Sequence, residues 1–268
     1  MNAGLESVLR RDRWRVAAGL LGVSAVAWAY LAHEAREMSL SGVCHCAGMM
    51  MSGPDVQPWS VSALVPLFLM WGEMMVAMML PSAAPMILAF ARVNRQRRVQ
   101  ELPYVPTAVF TLGYLAAWMG FSALAALGQW VLHGFMLLSP IMTTRSSGLA
   151  GGLLIAAGIF QWTPLKHACL KRCRSPLSLL LHDWREGRIG ALWMGFRNGL
   201  YCTGCCWLLM ALLFVAGVMN LWWVGLITLL VLAEKATPPT WRLSVVAGVV
   251  LVLWGILASA GALPLKAA

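Results

Sequence analysis

Charged residues are scarce in this chain of 268 residues. Asp, Glu, Lys and Arg together make up 11% of it, whereas 60% of the residues are hydrophobic. Soluble domains carry about 25% charged residues, so this composition excludes a soluble globule. Because a helix satisfies its backbone hydrogen bonds within one segment, the sequence predicts an all-α, polytopic helical bundle in a lipid bilayer.

The chain also lacks the short motifs by which nucleotide-driven and hydrolytic enzymes are recognised. It has no P-loop, no glycine-rich dinucleotide turn, no GxSxG or HExxH motif and no kinase signature. It also shows no internal repeat of the kind that builds many carriers. A metal-binding, transport or accessory role is therefore favoured over an enzyme, and any transport would draw its energy from a gradient or a partner.

The formal net charge of +10 first raises the question of a nucleic-acid partner. The basic residues, however, lie in short clusters between apolar stretches, which is the positive-inside pattern of membrane proteins. We expect no nucleic-acid partner and a cytoplasmic N-terminus. This orientation places most Lys and Arg residues inside: Arg10, Arg11, Arg13, Arg15, Arg92, Arg95, Arg97, Arg98, Lys166, Lys171, Arg172, Arg174, Arg185, Arg188, Lys235 and Arg242.

The apolar stretches predict about seven transmembrane helices in a single transmembrane domain over residues 1–268. Each supplies the roughly 20 residues that a spanning helix needs, if its ends are extended or tilted. The first is expected to be an uncleaved signal anchor. The stretches lie near residues 16–32, 61–90, 104–127, 149–163, 191–217, 220–233 and 243–260.

Three cysteines, Cys202, Cys205 and Cys206, lie inside one of these stretches. On a helix they share a face, with side-chain carbons about 5–6 Å apart. Two thiolates can close around a metal at that distance, whereas a disulfide needs about 3.5–4.5 Å. The spacing favours a soft ion, with copper(I) as the first candidate, although a buried cysteine is also an ordinary small hydrophobe.

A second stretch places an acidic residue, Glu73, among methionines. Met74 and Met78 repeat along one helical ridge beside it. A carboxylate at membrane depth costs at least about 2.5 kcal/mol, so it should be paired, protonated or functional. We predict that Glu73, Met74 and Met78 face the three cysteines across a helix interface. The alternatives are methionine packing and a structural hydrogen bond, for example to Arg197.

Sulfur also occurs on both sides of the predicted membrane. The outer loop, residues 33–60, contains Cys44, His45 and Cys46 followed by methionines, and is predicted to collect metal. The basic inner loop, residues 164–190, contains Cys169 and Cys173 one helical turn apart. These two cysteines either exchange metal or belong to a turn that binds lipid headgroups. The resulting ladder of donors suits the transfer of a soft ion from site to site.

Several runs resemble a bacterial family of predicted metal-binding integral membrane proteins, formerly a domain of unknown function, in which some members are labelled copper chaperones. The resemblance covers roughly residues 65–255 and implies copper handling in the bacterial inner membrane. The outer loop lies outside this core, so the resemblance implies nothing about it. The runs are Met78–Ser82, Trp162–Lys166 with Cys169, Cys173, Ser175 and Pro176, Gly199–Trp207, Gly217–Asn220 and Glu234–Lys235.

Two other functions also fit the sequence. Cysteine pairs that pass electrons across the bilayer would make the chain a thiol-disulfide or electron-transfer protein. Alternatively, the chain is a structural subunit of a larger membrane complex, and its Trp and Met residues pack between helices. If the chain handles copper, its expected partners are the lipid bilayer and a soluble or membrane-bound metal-handling protein.

Overall fold

The computed structural model describes residues 3–41, 61–100, 103–134, 147–175, 180, 184–218, 220–237 and 242–260. The elements in these ranges are helices, and the described residues include no strand, which confirms the all-α prediction. After a short 3-10 turn at Val61–Ala63, the chain continues into α2. The helices are α1 (Ala3–Ser41), α2 (Leu64–Val99), α3 (Thr107–Gly134), α4 (Ser147–Phe160), α5 (Pro164–Arg174), α6 (Gly187–Ala211), α7 (Leu213–Ala216), α8 (Leu221–Ala236) and α9 (Leu243–Ser259).

Every predicted apolar stretch falls on a helix, but the helices differ in length. Four segments are long and apolar enough to cross a membrane: Trp14–Glu37, Leu64–Arg98, Thr107–Leu132 and Gly187–Ala216. Counting α4 and α5, which meet at a 62° bend, as one broken span gives five. Because α8 and α9 have only 16 and 17 residues, seven spans and the side of the N-terminus stay predictions.

Helices α3 and α6 pack closely because glycines remove the side chains between them. A Cβ atom built on Gly195 would lie 2.0 Å from the Phe110 carbonyl oxygen, and one built on Gly113 would lie 2.1 Å from the Leu192 carbonyl oxygen. Small residues are the usual means by which membrane helices bring their backbones together. This contact brings the middle of α6 against Tyr114 of α3, since a Cβ atom on Gly199 would meet the Tyr114 carbonyl oxygen at 2.8 Å.

A second glycine interface joins α4 to α9. A Cβ atom on Gly151 would approach the Gly255 carbonyl oxygen at 2.7 Å, and one on Gly158 would approach the Gly248 carbonyl oxygen at 2.8 Å. The indole Nε1 of Trp162, two residues after the end of α4, donates to the carbonyl oxygen of Val245 at 3.3 Å. These contacts hold α9 beside the bend between α4 and α5.

Helix α2 lies between α1 and α3 and carries much of the buried core. Trp28 of α1 donates its indole N–H to the Ala77 carbonyl oxygen at 3.1 Å, and Trp71 donates to Gln129 of α3 at 2.6 Å. The helix continues without a break through Pro81 and Pro85. Neighbouring helices and side chains commonly compensate for the backbone donors that prolines remove.

Candidate metal centre

One face of α6 carries the three cysteines into the interior of the bundle. The helical period places residues three, four and eight positions from Cys202 on the same side of the helix, and that whole face is buried. Its members are Met194, Asn198, Cys202, Cys205, Cys206 and Met210. The cysteines are therefore screened from the surface by protein on all sides of this face.

The sulfur of Cys202 has two polar neighbours from other helices. The ammonium group of Lys235, in the last turn of α8, donates to it at 2.9 Å. The hydroxyl of Tyr114 on α3 lies 3.1 Å from the same sulfur. The ammonium stabilises negative charge on the sulfur, and the hydroxyl adds a polar neighbour, so this environment suits a thiolate better than a packing residue.

The Lys235 and Tyr114 side chains also tie Cys202 to α2. Lys235 donates to the Ser82 hydroxyl oxygen at 2.7 Å, and Tyr114 donates to the Met79 carbonyl oxygen at 3.2 Å. Ser82 itself donates to the Met79 carbonyl oxygen at 2.9 Å. Residues from four helices, α2, α3, α6 and α8, therefore converge around one sulfur atom.

The other two cysteines of α6 lie one helical turn further along. Cys205 and Cys206 both direct their thiols to the Cys202 carbonyl oxygen, at 3.0 and 2.9 Å. Such bonds to a carbonyl three or four residues earlier are common for short polar side chains in a helix. The cysteines that the structure describes form no disulfide. Their thiols are accordingly available as ligands.

Helix α5 adds a fourth thiol to this group. The Cys173 thiol lies beside Cys205 and interacts with it. Cys169, one turn earlier, lies against Gly204, where an added Cβ atom would meet its sulfur at 3.0 Å. Gly204 thus leaves the space in which α5 presents its cysteines to α6. The structure brings Cys173 and Cys205 together although 32 residues separate them in the sequence.

A buried ion pair fixes the residue next to Lys235. The Lys166 ammonium donates to both carboxylate oxygens of Glu234, at 2.8 and 2.7 Å, and both side chains are almost wholly buried. Lys166 also contacts the side-chain oxygen of Gln161, and Ser244 donates to Glu234 at 3.1 Å. Because the ion pair holds Glu234 in place, it also fixes the last turn of α8, from which the adjacent Lys235 side chain extends.

The methionines and the acid predicted to face the cysteines lie in α2. Met74 and Met78 are buried, and Glu73 is partly buried with Glu34 of α1 as an electrostatic neighbour. The contacts that join α2 to the Cys202 group run through Met79 and Ser82. A ligand role for Glu73, Met74 and Met78 stays a prediction. The outer-loop residues Cys44, His45 and Cys46 lie outside the described residues.

The alternative partner considered for Glu73, Arg197, points elsewhere. Its Nε donates to the hydroxyl of Tyr201 on the same helix at 3.2 Å. The guanidinium of Arg172 on α5 lies over the same ring, 4.9 Å from its centre. These basic groups therefore frame the contact between α5 and α6.

The donor atoms of this cluster are thiol sulfurs, which soft metal ions prefer, and few of them can bind the same ion. In the ranges that the structure describes, no three His, Cys, Asp or Glu side chains are placed to hold a metal ion together. The four-ligand geometry of a structural zinc site is therefore not preformed. Pairs of thiols, such as Cys173 with Cys205, match a soft ion that accepts few ligands, which is the chemistry of copper(I).

Three residues of the cluster were missing from the sequence-based site: Tyr114, Ser82 and Lys235. Two signals pointed towards them. Lys235 is a cation at the end of an apolar stretch, and Ser82 and Lys235 both lie in the runs that carry the family resemblance. Tyr114 carried no such signal, because it stands in an apolar stretch with nothing around it to mark it.

Residues 68–258, well over half of the chain, match the family model PpoB2, described as "Copper chaperone". This match agrees with the family inferred from the sequence motifs and with their extent. No curated protein and no solved structure matches the chain.

Proposed function

Since the chain belongs to the PpoB2 copper chaperone family, we propose that it binds copper(I) at the cysteine cluster and delivers or transports it at a bacterial inner membrane. The thiolates of Cys202, Cys205 and Cys206, two at a time, would hold the ion within a multi-pass bundle of about seven helices, with the N-terminus in the cytoplasm. Copper is the cargo of the protein and not a resident cofactor.

The observation that carries this proposal is the environment of Cys202. A buried cysteine that only fills space needs no charged neighbour. Here an ammonium lies at 2.9 Å and a phenol hydroxyl at 3.1 Å from the sulfur. Soft metals bind thiolates, and a protein must stabilise the thiolate in order to present it within an apolar interior.

The contact between Cys173 and Cys205 supports a transfer route. Cargo bound at Cys205 would reach Cys173 of α5 by exchange of one thiolate for the next, without leaving the protein. Cys169 lies one turn along the same helix, so α5 carries two successive thiols. A relay of weakly held positions allows both receipt and release of an ion.

The remaining predicted donors complete the proposal. Cys44, His45 and Cys46 of the outer loop would collect copper, and Met74, Met78 and Glu73 of α2 would pass it inward towards Cys202. A soluble or membrane-bound metal-handling protein would give or take copper at either end. The exposed apolar side chains along the long helices, such as Leu112 and Leu124 of α3, suit contact with lipid.

X-ray absorption at the copper edge of protein loaded under reducing conditions tests this proposal. We expect the edge of copper(I) and a first coordination shell made of sulfur. The same spectrum from the Cys202→Ser variant should lose sulfur ligands. Copper(II), or a shell of nitrogen and oxygen in the native protein, would contradict the proposal.

One observation favours thiol-disulfide chemistry as a second candidate function. Cys173 and Cys205 belong to different helices, so the fixed spacing that opposes a disulfide within α6 does not apply to them. Differential alkylation followed by mass spectrometry separates the two functions. A pair that becomes protected from alkylation after oxidation, and is released by reduction, supports an electron conduit. Thiols that stay free support the metal carrier.

A further inference from the structure

Among the described residues, Lys235 is a cation that lies beside thiols and a hydroxyl and not beside a carboxylate. Its ammonium donates to the Ser82 hydroxyl and to the sulfur of Cys202, and it interacts electrostatically with Cys205 and Cys173. In the described part of the chain it forms no ion pair with a carboxylate. The adjacent acid, Glu234, is already paired with Lys166.

An ammonium that is partly buried between helices, as Lys235 is, is costly unless an opposite charge lies close to it. Neutral thiols supply hydrogen-bond acceptors but no charge. The group around Lys235 therefore fits a cluster that carries one net negative charge. This condition restricts what the cysteines bind, because the charge of a metal-thiolate complex depends on the charge of the ion.

The charge count separates monovalent from divalent ions. A monovalent cation held by two thiolates has a net charge of minus one, which Lys235 cancels. A divalent cation held by two thiolates is neutral, so the charge of Lys235 would remain uncompensated. A third thiolate would restore the balance for a divalent ion. Within the described helices, however, no three such ligands are placed to hold one ion.

We propose that Lys235 is a specificity-determining residue, whose ammonium supplies the counter-charge that makes the cysteine cluster select monovalent soft ions over divalent ones. The inference rests on the proposed binding of copper at Cys202. Silver(I), which has the same charge and the same preference for thiolates, should bind as copper(I) does. Zinc(II), which also prefers sulfur, is the competitor that the site rejects.

The test compares the affinities of the purified full chain for silver(I) and for zinc(II), measured by competition with chelators. In Lys235→Gln, we expect silver(I) affinity to fall at least about tenfold while zinc(II) affinity stays equal or rises. Lys235→Arg keeps the charge and should retain most of the preference. Lys171→Gln removes the same charge from an exposed position on α5 and should leave both affinities unchanged.

The outcomes separate this inference from the proposed function. A native protein that binds no silver(I) overturns both. If the native protein binds silver(I) but Lys235→Gln leaves the ratio of the two affinities unchanged, only the role of Lys235 is overturned. The same holds if Lys235→Gln loses affinity for both ions equally. If Lys235→Gln fails to fold, Lys235→Met decides, because it removes the charge and leaves an apolar side chain of similar length that the bundle can bury. A several-fold fall in the ratio supports the inference, and an unchanged ratio overturns it.

Discussion

The ammonium group of Lys235 lies 2.9 Å from the sulfur of Cys202, joining the last turn of α8 to the middle of α6. The two residues come from separate apolar stretches, 33 positions apart in the sequence. Their contact brings a charged group to the buried cysteine face of α6. Cys202 thus has a charged neighbour from another helix, whereas the thiols of Cys205 and Cys206 donate to a carbonyl oxygen of their own helix.

Replacement of Tyr114 by Phe should weaken metal binding without removing the ring from the core. The variant loses the hydroxyl that lies 3.1 Å from the Cys202 sulfur and donates to Met79. We expect a several-fold loss of copper(I) affinity in chelator competition and about 1 kcal/mol of lost stability. Tyr201→Phe, which removes a hydroxyl that faces Arg197, is the control. Equal affinities in the two variants would contradict a role for Tyr114 at the thiol.

Replacement of Cys173 by Ser should slow copper transfer more than it lowers copper content. Cys173 contacts Cys205 and so offers the next thiol beyond the α6 site. Rapid mixing of copper-loaded protein with a soluble copper(I) chelator measures the release rate. Cys169→Ser, whose side chain packs against Gly204, should have the smaller effect. A release rate in Cys173→Ser equal to that of the native protein would rule out the proposed relay.

The buried pair of Lys166 and Glu234 should contribute strongly to folding. Glu234→Gln leaves the buried Lys166 ammonium without its charge partner, which costs about 3–5 kcal/mol. Thermal unfolding in detergent, followed by circular dichroism, should show a large drop in midpoint. Glu186→Gln is the matched control, because Glu186 pairs with Arg97 at 2.5 Å but is 61% exposed. A drop of similar size in both variants would contradict the assignment.

Close packing between α3 and α6 should make Gly195 intolerant of a side chain. A Cβ atom there would lie 2.0 Å from the Phe110 carbonyl oxygen, so Gly195→Ala must push the helices apart, at about 1–3 kcal/mol. The same measurement on Gly120→Ala serves as the control, since its Cβ atom meets nothing within 4 Å. We also expect copper affinity to fall in Gly195→Ala because Tyr114 moves away from Cys202. Equal stability of the two variants would contradict the packing.

The sequence predicts the helices well, whereas the number of membrane crossings stays a prediction. Backbone groups in lipid have to be satisfied within a segment, so long apolar runs are almost bound to be helical, and all seven runs are. Length decides the rest. α8 and α9, with 16 and 17 residues, are shorter than the four long apolar segments. The sequence predicts an apolar stretch followed by a basic loop where the structure has two helices, α4 and α5, joined at a bend.

The site could be predicted only in part, because periodicity reveals which face of a helix is buried and not which helix covers it. The face containing Cys202, Cys205 and Cys206 follows directly from the spacing of the residues. The approach of Tyr114, 88 positions away, depends on the glycines that bring α3 against α6. Likewise, the contact of Cys173 with Cys205 depends on the space beside Gly204. Such long-range effects leave no mark in a local pattern.

The most direct test of copper binding at the cysteine cluster is the metal content of protein purified anaerobically with reductant. The native chain is compared with the variant in which Cys202, Cys205 and Cys206 are all replaced by Ser. We predict copper near one ion per native chain and almost none in the variant, with both proteins folded by circular dichroism. Equal copper in the two proteins, or none in the native chain, would contradict the binding site.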